Sequence, residues 1–395
     1  MRKFIFVLGA LVFVNVLIGH GDVLADADDL VLSVGVREEY LDNIFFTQDD
    51  TVDDFITTLS VGIDARKRTE RLNAGLKGLF DGVIYQDNDD LNNLDQFYGG
   101  YVNYLVSERL SVVGEASLKN DSRADRDVVD TGLILGTNVR KTQRYNGKVG
   151  FQLTEVSNVL VGYTFRKEDY ESRISDDYDA HSALAQWEHD LQHWLVGTRG
   201  NVTFGYDRYN YRFSRTDNYS LTLGLEKELS ELYSFYIDLG GRYSEYDFFD
   251  DDDDDYDDEL NVNSDGMGGV LKSGLKYKGE YSNMDVYILH DIAPASGRGR
   301  TVQRTSFIGS WRYRITEKIS SGLKGGYYLN QGDISDDPLD EHTIRVVPRL
   351  IYQLANNMKI TASYSYTWID QKHIDIDKSR NDLFIRFTWD HTFFD

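Results

Sequence analysis

Residues 358–369 read MKITASYSYTWI. Met358, Ile360, Ala362, Tyr364, Tyr366 and Trp368 alternate with Lys359, Thr361, Ser363, Ser365 and Thr367. Side chains of a strand point to opposite faces in turn, so this period of two predicts a strand with one apolar and one polar face. The segment before it, 344–354, repeats the pattern. Ile344, Val346, Pro348, Leu350, Tyr352 and Leu354 stand against Arg345, Val347, Arg349, Ile351 and Gln353. Only ANN (355–357) separates the two, which makes them a hairpin.

The same unit recurs along the chain. Strand-like arms of about ten residues flank ARKRTERL (65–72), LVSERLS (105–111), LTEVSNVLV (153–161) and HDLQHW (189–194). They also flank LEKELSELY (225–233), YKGEYSNM (277–284), ITEKIS (315–320) and LANNMKI (354–360). Long hydrophilic segments alternate with these short turns: YQDNDDLNNLDQ (85–96), EDYESRISDDYDA (168–180), NQGDISDDPLDEH (330–342) and DQKHIDIDKSRN (370–381). Short turns at one end and long loops at the other predict an all-β fold, a transmembrane antiparallel up-and-down β-barrel. Closing the sheet satisfies every backbone group, which is what allows a barrel to cross lipid without helices. The eight hairpins give sixteen strands. One more at each end (30–37 and 382–393) raises the expected number to about 18 and returns both termini to the short-turn side. The segment 127–147 is ambiguous, because a further strand could be drawn near 131–139; it is read as an extended strand end or an inward-folded loop.

The chain has 395 residues, 27 Tyr, 20 Phe, no Cys, three Pro and a net charge of −24. Its first 25 residues have a basic start (Arg2, Lys3), an apolar run from Phe4 to Gly19, and VLA at 23–25, the pattern of a cleaved secretory signal peptide. Residues 26–395 are then the barrel, with no apolar stretch long enough to cross a bilayer as a helix. The expected location is the outer membrane of a Gram-negative bacterium, with lipid around the barrel, short turns in the periplasm and long acidic loops outside. The acidity argues against nucleic acid, which would need a basic surface. The most acidic loop is DFFDDDDDDYDDE (247–259). Asp250, Asp251, Asp252, Asp253, Asp254 and Asp255 are carboxylates that could hold hard cations, but the run lacks the glycine of a compact calcium loop, so weak binding at most is expected.

The apolar face ends repeatedly in aromatics, such as Tyr163 and Phe165, Trp311 and Tyr313, and Phe387 and Trp389. Aromatic rows at strand ends fit the two interfaces of a bilayer. A β-sandwich would also alternate, but it would have comparably short connections at both ends. The last strand, NDLFIRFTWDHTFF, resembles the terminal signal read by the barrel-assembly machinery, although the chain ends Phe394-Asp395 rather than on an aromatic.

If the apolar face meets lipid, the other face lines the lumen. It would carry Lys272, Lys276 and Lys278 on one strand, Arg304, Arg312 and Arg314 on the next but one, and Lys318 and Lys324 after them. Arg345, Arg349, Lys359 and Arg386 complete the set. A basic lining favours anions, unless the charges pair with inward acids or snorkel at strand ends. Tyr328 is expected to face the lumen, where it could stack on sugar rings.

No enzyme is expected. HDLQH (189–193) has Asp where the zinc-protease motif has Glu, and on a strand its two histidines would lie about 13 Å apart. No Gly-x-Ser-x-Gly and no phosphate cradle is present, and no metal or cofactor is expected.

The hairpin GKVGFQLTEVSNVLVGYTFRKEDYES (147–172) resembles a family of outer-membrane β-barrel porins encoded in exopolysaccharide and exosortase-associated gene clusters. The resemblance is diffuse, spans residues 26–395, and has no invariant motif. It implies a barrel that carries an exopolysaccharide across the outer membrane together with a periplasmic polysaccharide-export protein. A basic lumen would suit an acidic polysaccharide. The same strands would serve a general or anion-preferring diffusion porin, and a plugged lumen would suit a structural or adhesive barrel.

Overall fold

The computed structural model describes residues 28–123, 139–172, 175–249, 263–295, 297–332 and 339–393. The expected signal peptide, residues Asp250 to Asp255 and the candidate strand within 131–138 lie outside these residues. Among the described residues there are eighteen strands. The first six are β1 (Asp29–Leu41), β2 (Asp54–Arg68), β3 (Leu72–Tyr85), β4 (Asn93–Ser107), β5 (Leu110–Asp121) and β6 (Arg140–Thr154). Then come β7 (Ser157–Tyr170), β8 (Tyr178–Asp190), β9 (Thr198–Tyr211), β10 (Ser214–Glu228), β11 (Tyr233–Phe248) and β12 (Asn263–Lys278). The last six are β13 (Ser282–Pro294), β14 (Thr301–Arg314), β15 (Ile319–Gly332), β16 (Asp340–Ala355), β17 (Met358–Gln371) and β18 (Ile376–Thr392).

Every strand pairs antiparallel with its neighbours in sequence, and β1 pairs with β18 from Val31–Thr392 to Leu41–Asp382. The sheet therefore closes into an up-and-down barrel with no free edge. All eight predicted tight turns connect strands at one end. The second half of the ambiguous segment, from Arg140 on, is the start of β6.

Two expectations need correcting. The strands are 12 to 17 residues long rather than about ten. Parts of the segments read as loops accordingly belong to strands, among them 93–96, 168–170, 178–180, 330–332, 340–342, 370–371 and 376–381. The second correction is that the long-loop end also holds connections as short as the tight turns, 212–213 between β9 and β10 and 372–375 between β17 and β18.

The two faces are inverted relative to a water-soluble protein. Outside, Leu223 is 63%, Ile385 57% and Val161 53% exposed, whereas Ser244 and Thr343 inside are fully buried. This apolar band runs round the whole barrel, far more than a soluble monomer exposes. Cross-strand aromatic pairs edge it near the long loops: Tyr40–Phe55 and Tyr206–Tyr219 at 5.1 Å, and Tyr145–Phe165 at 6.2 Å. Trp187, Tyr233, Trp311, Tyr313 and Tyr352 edge it near the short turns. On β11 the two rows are marked by Tyr243 and Tyr233. Ten residues of strand span about 33 Å, or about 25 Å of height at a tilt of about 40°, the apolar thickness of an outer-membrane barrel. Strands longer than that band run out into water, where the alternation fades from the sequence.

Candidate functional site

The interior wall follows from the register. Ser363 faces inward, so its partners Arg349 and Phe384 do as well, and the assignment propagates around the barrel. It puts Lys272, Lys276 and Lys278 (β12), Arg304, Arg312 and Arg314 (β14), and Lys324 (β15) on the inner face. Arg345 and Arg349 (β16), Lys359 (β17) and Arg386 (β18) share it. Lys318 stands apart, in the turn before β15. There it lines a rim cleft of about 310 Å³ with Arg312 and Arg314. The inward carboxylates of β12–β18 are Asp285, Asp291, Glu341, Asp382 and Asp390, far fewer than the inward cations of those strands. On β1–β11 inward acids are at least as numerous as bases.

These cations fall into two groups. Lys272, Lys276, Lys278, Arg312, Arg314, Lys324 and Arg349 are exposed to the interior. Gly322 lies between Arg312 and Arg349 in one cross-strand row, with Lys324 two residues further along the same strand. A glycine there leaves the wall bare between three positive heads. Arg304 is buried instead, and its Nε donates to Asn330 at 2.8 Å. Arg386 donates to Ser60 at 3.0 Å, Lys359 lies 3.4 Å from Asp390, and Arg345 is half-buried.

A second patch joins cations to rings. Tyr236 on β11 lies beside Lys276 (4.8 Å from Nζ to ring centre) and Lys272 (5.6 Å). Gly274 sits between those lysines on the inner face. A Cβ there would come within 2.6 Å of the Tyr236 hydroxyl and 2.8 Å of Tyr287 Cβ. The missing side chain is what lets the two tyrosines close over the strand. Tyr328, expected to be available for stacking, is 8% exposed, and its ring fills the space above Gly326.

At the long-loop end, segments fold into the barrel. The loop 42–53 sets Ile44 against Leu41, Ile56, Val83 and Tyr85 in an apolar cluster. Arg123, just beyond β5, reaches β1 and donates two hydrogen bonds to Glu39, one of them at 2.6 Å. Burial works against the charge of Arg123, but the Glu39 carboxylate more than offsets this and holds its pKa above the usual arginine value. Arg37 donates to the same carboxylate at 2.5 Å. Residues 297–300 cross the interior. Gly299 accepts from Ser214 on β10 at 2.7 Å, Arg298 donates to Glu341 on β16 at 3.3 Å, and Gly297 bridges to Asp176. Gly297 and Gly299 have φ of 67° and 64°, left-handed values that suit glycine. Sequence reasoning missed this network, whose members lie too far apart in the chain to form a local pattern. The one available signal was Ile44, Phe45 and Phe46, an apolar triplet inside a loop.

His189 faces outward, hydrogen-bonds Ser157 at 2.7 Å, stacks on Trp187 and lies 6.4 Å from the tilted ring of Trp194, while His193 lies in the turn that follows. No group of metal-ligating side chains is found among the described residues.

No protein-family model and no curated protein matches the sequence. Among solved structures, the chain is similar to OpdO of Pseudomonas aeruginosa (13% identity, 94% of this chain and 99% of that one, TM-score 0.49). OccAB4 of Acinetobacter baumannii follows at 11% identity, 92% and 99% coverage and a TM-score of 0.47. The outer-membrane protein OpdK of Pseudomonas aeruginosa stands at 10%, 93% and 100%, and 0.47. The fold assignment rests on the strand pairing of this chain, not on these likenesses.

Proposed function

We propose that this chain is an outer-membrane channel that prefers anions. The observation that carries the reading is the group of exposed inward cations. Among the described residues, none of Lys272, Lys276, Lys278, Arg312, Lys324 and Arg349 forms an ion pair. Charges that only held the fold together would have partners; charges open to water act on what passes. The apolar band of about 25 Å supports the membrane location, and the closed sheet is the architecture that lipid permits.

A second reading narrows the cargo to an acidic exopolysaccharide, handed over at the short-turn mouth by a periplasmic export protein. The Tyr236–Gly274–Tyr287 patch favours it. An aromatic surface flanked by Lys272 and Lys276 offers a face for a sugar ring and two partners for its carboxylate.

The test is conductance of the refolded chain in a planar bilayer under a salt gradient. A steady current with an anion-selective reversal potential supports the channel. A folded but silent barrel would instead support a plugged, structural role. Acidic oligosaccharides that interrupt the current at concentrations where neutral ones do not would support the polysaccharide reading, and equal effects would count against it.

A further inference from the structure

The turn between β8 and β9, residues 191–197 (LQHWLVG), differs from the other short turns. Six of those carry a glutamate (Glu70, Glu108, Glu155, Glu231, Glu280, Glu317), and the seventh is Asn356-Asn357. This one has no acid, is the longest, and exposes an apolar side chain at three consecutive positions. Val196 is 79%, Trp194 74% and Leu195 48% exposed.

Its backbone is built to present them. The amides of Trp194 and Leu195 both donate to the Leu191 carbonyl at 2.8 Å, which winds one helical turn. Gly197, at φ 66°, lets the chain reverse into β9. The turn bends outward rather than over the lumen. Trp194 lies 6.4 Å from the ring of His189, which is on the outer face and stacks on Trp187 at 5.5 Å. Leu191 approaches Gly200, also on the outer face, so closely that a Cβ there would stand 3.0 Å from it. The apolar surface of the turn is therefore continuous with the band below it through Trp187.

We infer that residues 194–196 are a membrane anchor, inserted at the headgroup–acyl boundary of the leaflet on the short-turn side. A tryptophan with an aliphatic pair and no carboxylate suits that layer. The glutamates of six of the other turns, and the two asparagines of the seventh, keep those turns in water. The inference rests on the reading of the outer band as lipid-facing. It goes beyond that reading, because this turn lies outside the strands that form the band.

The test uses the refolded full chain in vesicles of phosphatidylcholine brominated on the acyl chains. One variant keeps Trp194 as its sole tryptophan, and a second keeps only Trp389, which faces outward on β18 at the short-turn edge of the band. The inference expects bromine to quench Trp194 by at least half of its effect on Trp389. Quenching of Trp389 alone, with Trp194 open to aqueous iodide, would overturn the anchor and leave the band reading intact. That result would also be expected if the turn served a periplasmic protein. If neither were quenched in a folded barrel, the band reading itself would fail. Because the chain has no cysteine, Val196→Cys with a nitroxide label gives a check that spares all five tryptophans. Collision with oxygen should exceed collision with a water-soluble nickel chelate, and the reverse order would overturn the inference.

Discussion

The two ends of the barrel interior use the same residue types on the same faces in opposite ways. Near the long loops, Arg140 and Glu168 are almost fully buried 3.0 Å apart, and Glu168 also accepts from Arg166. Glu39 and Glu341 are buried with arginine partners from inserted segments. Towards the short turns, Arg312, Lys324 and Arg349 face the interior unpaired and exposed. Whether a loop covers the wall separates the two ends. A covered charge must be neutralised by a neighbour, because water no longer solvates it; an uncovered one keeps its field for solutes. A basic residue on the inner face is thus evidence of pore chemistry only where nothing lies over it.

The largest effect should come from breaking a covered pair. Glu168→Leu leaves Arg140 buried without its carboxylate and should destabilise the barrel by about 3–5 kcal/mol. Urea unfolding followed by heat-modifiable gel mobility would measure it. A loss below about 1 kcal/mol, the range of exposed pairs, would mean that water reaches this site and would dissolve the distinction between the ends.

The sequence revealed the barrel better than it revealed this difference, for physical reasons. Strands such as 358–369 must show lipid on one face and water on the other, so their alternation is strict and local. The turns were legible because short polar connections interrupt it. The ends of β16 and β18 were read as loop, because beyond the lipid both faces of a strand meet water and polar residues suit either. Pore-facing and covered cations were indistinguishable for a different reason. Arg304 and Arg312 share one strand and one face, and what separates them is the cover over the long-loop end, where segments from elsewhere in the chain fold in. No local spacing encodes that. Lys318 was set on a strand because the pattern continued into a turn. Tyr328 was offered to the lumen because nothing in the sequence marks Gly326 as the gap its ring fills.

An intermediate effect should separate inside from outside at adjacent positions. Leu221 faces outward and is 54% exposed, while Thr222 faces inward opposite Thr203. Leu221→Arg should cost about 2–4 kcal/mol in a bilayer. Thr222→Arg should leave stability nearly unchanged and alter ion selectivity instead. The same unfolding assay in lipid compares them. Equal costs would mean that β10 does not cross the apolar layer.

The smallest change in free energy carries the sharpest functional consequence. Replacing Arg312, Lys324 and Arg349 together with Gln removes three exposed charges that form no ion pair among the described residues, so folding should be unaffected. A passing anion loses about 1 kcal/mol of attraction at each contact in water, and the permeability ratio of anion over cation should fall several-fold. The reversal potential in a salt gradient should then move towards zero while the conductance persists. The matching replacement of Arg304, which is buried and bonded to Asn330, should move stability more than selectivity. Should the triple variant keep its selectivity while Arg304→Gln loses it, the covered end would be the part of the pore that selects, and the roles assigned to the two ends would be exchanged.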